Sequence, residues 1–429
     1  MNSKHASLLC LLPLALPAAG LPDLILPQGV GVNIHFTRGH EPDLDLIAAA
    51  GFKVARMDFS WSGTERQKGQ YDWSAYDELT AHLEKRGLRP YYILDYSNPV
   101  FEETITSKDP VSGQERQDTA SPQHPKSVMA FARWAAVAAQ HFKGRGVIWE
   151  IWNEPNIGFW KPKPDVQQYL ALAQATCRAM RIVDSNALIV APATSEFPWP
   201  FLEDCFKGGL LGQIDAVSVH PYRDYRKGPE TVAVDYRRLR ELIARHAVTD
   251  AKRQIPILSG EWGYSSHAKG VSPETQAAFL ARQQLVNLLE GVPVSIWYDW
   301  KNDGTNLDER EENFGTVTDT LQPKPAYLAL QTLTRELAGY RIEKRSATLS
   351  PDDFVLVLSH AKAGQKLAAW TNGKPHPIAV KIAPGATAQV RVVNSQGQAD
   401  RLQVQSGRLD LELRESPSYV TLGPSSRVE

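Results

Sequence analysis

From residue 29 to about residue 337 the chain alternates between two textures. Short apolar runs of strand length are separated by longer segments whose apolar positions recur at helical spacing. The strand-like runs are GVGVNIHF (29–36), KVARMDFSW (53–61), LRPYYILDYS (88–97), VIWEIWNEPN (147–156), ALIVAPAT (187–194), IDAVSVHPY (214–222), QIPILSGEWGY (254–264) and PVSIWYDWKN (293–302). Helical patterns cover 41–51, 73–87, 126–144, 165–184, 232–247, 274–292 and 324–337, with a helical or irregular segment running to 212. A polar, proline-containing insertion occupies 98–124. Strands that alternate with helices form parallel βαβ units. Eight such units predict an α/β fold of the closed (β/α)8 TIM-barrel type over 21–340.

Beyond residue 340 the helical period stops. DFVLVLSHA, KLAAWTN, PIAVKIA, AQVRVVNS, LQVQSG and RLDLELRE alternate apolar and polar residues between Gly, Pro and Asn turns. This pattern predicts a small C-terminal antiparallel β-domain, sandwich-like, over 341–429. The stretch 20–29 is expected to add a strand to the barrel.

The first twenty residues read differently. Lys4 and His5 precede an apolar run from Ser7 to Leu16, and Ala18, Ala19 and Gly20 follow. This is the layout of a secretory signal over 1–20, which places the mature protein in the periplasm or outside the cell. The run is shorter than the ~20 residues a transmembrane helix needs. No later segment is a candidate span. In an exported protein Cys177 and Cys205 have the option of pairing, but their spacing does not decide it.

The formal net charge is −1, so neither nucleic acid nor an anionic membrane is indicated as a partner. There is no HExxH motif, no paired histidine spacing and no glycine-rich phosphate loop, so neither a metal nor a nucleotide cofactor is expected. The 11 tryptophans offer flat apolar faces for sugar rings, or simply core.

In a barrel of this kind the C-terminal ends of the strands form the active face. Here those ends carry Asn33 and His35, Arg56 and Asp58, Asp95, Asn153 and Glu154, His220 and Tyr222, Glu261, and Trp297 and Asp299. Glu154 is expected at the end of the fourth strand and Glu261 at the end of the seventh, both in one mouth. Two carboxylates facing across a cleft are the equipment of glycosidic bond cleavage, one as a proton donor and one as an ionised nucleophile. Arg56 is placed to keep Glu261 charged, or else to plug the barrel through Asp58. Tyr222 is placed to donate to Glu261, and Asn153 to hold the sugar 2-hydroxyl. His35 and His220 are suited to bind hydroxyls or Glu154, or to serve as structural histidines. Trp297 is expected beneath the reacting sugar, with Trp160, Trp300 and Tyr298 at flanking subsites. Phe159, Trp160, Trp199 and Trp300, read as exposed on several loops, favour an open groove and cleavage within a chain.

NEP after the fourth strand, HPY after the sixth, GEWG after the seventh and IWYDW on the eighth resemble the motifs of clan A retaining glycoside hydrolases. Within the clan the chain most resembles family 39, which includes β-xylosidases, α-L-iduronidases and the PslG-type hydrolases of biofilm exopolysaccharide. The likeness covers about 25–340, and a trailing β-domain is in keeping with it. It implies Glu154 as acid/base, Glu261 as nucleophile, net retention and a polysaccharide or oligosaccharide substrate. Size, leader and the single β-domain look closest to the exopolysaccharide hydrolases, acting as a monomer. The competing readings are an exo-acting xylosidase-like or cellulase-like glycosidase, and a catalytically silent barrel that binds glycan.

Overall fold

The computed structural model describes residues 20–108, 113–247, 254–383, 388–423 and 427–428. The predicted leader lies outside these residues, apart from Gly20. No helix among the described residues is long and apolar enough to cross a membrane.

Eight parallel strands close a barrel: Val30–Asn33, Val54–Ser60, Arg89–Asp95, Ile148–Ile151, Leu188–Ser195, Ala216–His220, Ile257–Trp262 and Ser295–Trp297. They follow one another around the barrel in chain order, and the first pairs with the eighth. The α/β barrel expected from the alternating pattern is therefore the fold. Strand alternation sorts the side chains. Val54, Tyr91, Ile148, Leu188, Val190, Ala216, Leu258, Val294 and Ile296 form an apolar plug inside the barrel. Ala55, Phe59, Tyr92, Leu94, Trp149, Ile151 and Trp297 face outward into the larger core beneath the helices.

The stretch before the barrel adds no strand, contrary to expectation. Leu21 joins the interior apolar plug. Leu26 exchanges backbone hydrogen bonds with Gly339 and Tyr340, with N···O distances of 2.8 and 2.9 Å. Pro22 and Pro27 lack the N–H groups that a ladder requires.

The insertion after the third strand contains a hairpin, Thr104–Lys108 against Glu115–Thr119. It is polar on both faces and shows no period-two pattern, so in the sequence it reads only as a polar insertion.

The C-terminal unit is one curled antiparallel sheet of eight strands, two more than the six that the alternation indicates. The extra pair are Arg341–Arg345, largely exposed, and the four-residue Ser418–Thr421, too short to show a period. Along Asp353–His360 the two faces have different neighbours. Phe354, Leu356 and Leu358 merge with the barrel's core, together with Ala368, Trp370 and Tyr419. Val355 and Val357 line a separate core with Leu367, Val380, Val390, Leu409, Leu411 and Val420. The junction is also bridged by buried polar groups. Arg282 donates to Glu230 at 2.7 and 2.6 Å, and the Trp370 indole donates to Glu230 at 2.8 Å.

Candidate active site

The site is built on the inward-facing residues just above the apolar plug. Val54 faces inward, so Arg56, two residues on, does too. The same parity turns Glu150 inward from Ile148. Glu150 is fully buried and Arg56 is 1% exposed. Arg56 Nε and Nη2 lie 2.8 and 2.7 Å from Glu150 Oε2. Tyr91 and Ser218 donate hydroxyls to Glu150 Oε1 at 2.7 and 2.5 Å. The carboxylate is thus fully satisfied, the condition on which a buried ion pair is tolerated. Gly260 makes room for it, because a Cβ there would meet Ser218 Oγ at 2.3 Å and Glu150 Oε1 at 2.9 Å.

The remaining donors of Arg56 point up into the mouth. Nη1 donates to Glu261 Oε2 at 2.6 Å and to Asn33 Oδ1 at 2.9 Å, and Nη2 donates to Asn153 Oδ1 at 2.9 Å. None of these three contacts is a bridge to Asp58. Tyr222 donates to Glu261 Oε1 at 2.7 Å. Burial pushes the Glu261 carboxyl up, but nearby His220 and Arg56 and the hydrogen bonds from Tyr222 and Arg56 outweigh it and hold it below the usual carboxylate range.

The fourth strand ends at Ile151, so Glu154 stands three residues beyond the strand rather than within it. Trp152 and Glu154 adopt left-handed backbone, with φ of 67° and 47°. Such conformations persist only where the surroundings impose them. Here Glu154 N donates to Ala193 O at 3.0 Å. His220 Nδ1 lies 2.9 Å from Glu154 Oε1. One carboxylate oxygen each from Glu154 and Glu261, with a ring nitrogen of His220, fall within 4.8 Å of one another. Asn153 also donates from Nδ2 to the Tyr96 hydroxyl at 3.0 Å.

His35 is set apart from this cluster. It contacts Asn33 at 2.9 Å and lies 3.7 Å from Asp299 and 3.8 Å from Asp303. Burial lowers its pKa, but a hydrogen bond to Asp303 and the charges of Asp299, Asp303 and Asp58 raise it to about 9.

Three of the expected sugar-facing tryptophans are core residues. Ile296 faces into the barrel, so Trp297 points outward. It is fully buried, and its indole donates to Phe314 O at 3.3 Å. The same alternation brings Tyr298 back over the mouth, half-buried beside Tyr222, His35 and Phe314. Trp300 donates to Asp43 of the first helix at 2.9 Å and is 2% exposed. Trp160 is fully buried against Trp152 and Tyr169. Cys177 and Cys205 are both buried free thiols.

Residues 28–304 match the family described as Cellulase (glycosyl hydrolase family 5). The chain belongs to this family of clan A glycoside hydrolases. Among solved structures it is similar to a family 39 glycoside hydrolase from Bacteroides cellulosilyticus WH2, with 25% identity, a TM-score of 0.79, and coverage of 92% of this chain and 81% of that one. A family 39 β-xylosidase from Caulobacter crescentus shares the fold, at 19% identity and a TM-score of 0.65, over 94% of this chain and 97% of that one. In sequence the glycoside hydrolase resembles a β-xylosidase of Caldicellulosiruptor saccharolyticus, 28% identical over 224 residues. That match spans 47% of this chain and under half, 43%, of the relative's length. The likeness to family 39 thus has a structural counterpart.

Proposed function

We propose that this protein is a retaining hydrolase of O-glycosidic bonds, acting by double displacement through a covalent glycosyl-enzyme on an oligosaccharide or polysaccharide outside the cytoplasm. The observation that carries this reading is the facing pair Glu154 and Glu261, whose nearer oxygens lie within 4.8 Å. Retaining enzymes hold their two carboxyl groups about 5–5.5 Å apart, whereas inverting enzymes leave room for a water.

In this reading Glu261 attacks C1 from one face of the sugar. Arg56 and Tyr222 keep its oxygens ionised and aimed, with no reorganisation needed at the moment of reaction. Glu154 protonates the leaving oxygen, then takes a proton from the water that releases the sugar. Asn153, fixed by Arg56 and Tyr96, presents its side chain to the 2-hydroxyl. Tyr298, rather than Trp297, provides the apolar face under the sugar. The predicted leader supports an exported enzyme.

A second reading concerns where on the chain it cuts. Of the four aromatics that favour cleavage within a polymer, Trp160 and Trp300 are buried, and only Phe159 and Trp199 remain partly open. That loss favours release of terminal sugars. A relative that bears the name β-xylosidase agrees with this reading.

The test is intact-mass spectrometry of wild type and Glu261→Gln after exposure to activated 2-fluoro glycosides. A glycosyl adduct on the wild type alone, mapped to the peptide holding Glu261, is expected. Folded protein that turns over glycosides with inversion, and traps nothing, would refute the retaining mechanism.

A further inference from the structure

The second and third barrel strands carry a second carboxyl pair that the proposed reaction does not use. On the second strand Val54 and Arg56 face inward, so Asp58 does as well. On the third strand Tyr91 faces inward, and so in turn do Ile93 and Asp95. The register sets Asp58 beside Ile93 and Ser60 beside Asp95. Asp58 and Asp95 are therefore diagonal neighbours on the inner wall, with Asp58 about 7 Å above Arg56 by strand rise and Asp95 one two-residue step higher. Asp95 is fully buried, yet neither of its carboxyl oxygens has a hydrogen-bond partner among the described residues. A buried carboxyl left so is costly unless it holds a proton or receives a ligand. Burial and the nearby charge of Asp58 push the Asp95 carboxyl well above the usual carboxylate range. Asp58 is half-buried.

We propose that Asp58, backed by Asp95, is a sugar-recognition site that accepts hydroxyl hydrogen bonds from a neutral glycone and rejects a uronate. This rests on the hydrolase reading above and names the class of substrate for the same site. The neighbouring charges support it. His35 from the first strand is already shared by Asp299 and Asp303. Arg56 is taken up by Glu150 and Glu261. Lys324 is bonded to Ser266 and Asn302, each at 3.1 Å. A uronate carboxylate entering beside Asp58 would face Asp58 and the half-exposed Asp303 with these cations already engaged. A sugar hydroxyl, in contrast, donates to Asp58 without a charge conflict. The geometry makes Asp58 the contact residue and Asp95 a positioning residue behind it.

The test compares wild type, Asp58→Asn and Asp95→Asn on 4-nitrophenyl xylosides, glucosides and glucuronides, and on monodeoxy versions of the best substrate. Circular dichroism and the thermal midpoint check that each variant folds. The wild type is expected to cleave the neutral glycosides and leave the glucuronide. Asp58→Asn is expected to lose about tenfold to a hundredfold in kcat/KM on the neutral substrate, the loss of one hydrogen bond to a charged acceptor. One deoxy position should cost the wild type the same factor and cost Asp58→Asn almost nothing. Additive losses at every deoxy position, or glucuronide turnover equal to that of the glucoside in the wild type, would overturn the proposal. Should no glycoside be cleaved by folded wild type, the hydrolase reading fails by itself. Calorimetric binding of xylose, glucose and glucuronic acid then decides the site. Neutral sugars that bind wild type and not Asp58→Asn support it, and no such difference refutes it.

Discussion

Arg56 and Glu150 lock together at the centre of the barrel, with two guanidinium nitrogens within 2.8 Å of one carboxylate oxygen and both side chains at most 1% exposed. Glu150 lies beneath the catalytic pair, its Oε1 4.0 Å from His220 Nε2. It fixes Arg56, and Arg56 in turn fixes Glu261, Asn153 and Asn33. Breaking one half of a buried pair leaves an uncompensated charge. Glu150→Ala is therefore expected to lower stability by about 3–5 kcal/mol in urea unfolding. Glu150→Gln keeps the shape and should fold. Its kcat should fall with little change in KM, because the loss acts through the nucleophile and not through substrate contacts. An unchanged kcat in folded Glu150→Gln would show that Glu150 is only structural filling.

The two carboxylates of the mouth should separate kinetically. Glu261→Ala is expected to lose nearly all activity on every substrate, since no covalent step remains. Glu154→Ala should lose far less on glycosides with good leaving groups, which leave without protonation, than on a natural glycan. A Glu154→Ala enzyme unimpaired on the glycan would exclude the acid role.

Tyr222→Phe tests the electrostatics of Glu261. Its hydroxyl, 2.7 Å from Oε1, is one of the groups that hold Glu261 low. The folded pKa of Glu261 is depressed, so its contribution to stability is present above the unfolded value, 4.5 in the free side chain. That contribution is lost as pH falls through the lower folded value. Removing the hydroxyl narrows the gap. The acid limb of the kcat/KM profile should move to higher pH in Tyr222→Phe, and acid unfolding should begin at higher pH. Superimposable acid limbs would show that Tyr222 does not tune the nucleophile.

Much of this architecture was legible in the residues, and the errors share one physical cause. The strand–helix alternation yields the barrel because buried parallel strands read as continuous apolar runs. Glu154 and Glu261 stand out because carboxylates at strand ends need a reason to be there. What failed was parity. Within an apolar run both faces look alike, so nothing in IWYDW alone marks Trp297 as outward and Tyr298 as inward. Ile296 in the barrel interior decides it, and that is a fact of register. Glu150 escapes notice for the same reason, although its two-residue spacing from Ile148 carries the signal. Trp160 and Trp300 lie on connections, where no period predicts burial, and their indoles found partners in Gln168 and Asp43. In the sequence Asp58 reads as a partner for Arg56, whose actual partner is Glu150.

Asn153 offers a quantitative check on substrate contact. Its Oδ1 accepts from Arg56 and its Nδ2 donates to Tyr96, at 2.9 and 3.0 Å, so the side chain is held before substrate arrives. Asn153→Ala is expected to cost about 2–4 kcal/mol of transition-state stabilisation, the scale of removing one preorganised donor. A 2-deoxy glycoside should narrow the difference between the two enzymes. Equal kcat/KM for wild type and Asn153→Ala would remove this residue from the site.

The seam between barrel and sheet gives the last prediction. Glu230 accepts from Arg282 twice and from the Trp370 indole once, and Glu230 and Arg282 are 8% and 2% exposed. Around them the Phe354, Leu356, Leu358 and Tyr419 face of the sheet belongs to the barrel's own core. Removing residues 340–429 would uncover the barrel's apolar surface beneath that face and leave Glu230 without its indole donor. The truncated barrel is therefore expected to be insoluble. In the full chain Glu230→Ala should lower stability by about 3–5 kcal/mol, since it leaves a buried guanidinium unpaired. Both units should still melt in one transition in differential scanning calorimetry, because they share a core. A soluble, active barrel after truncation, or two separate transitions in the intact chain, would show that the sheet is an independent appendage.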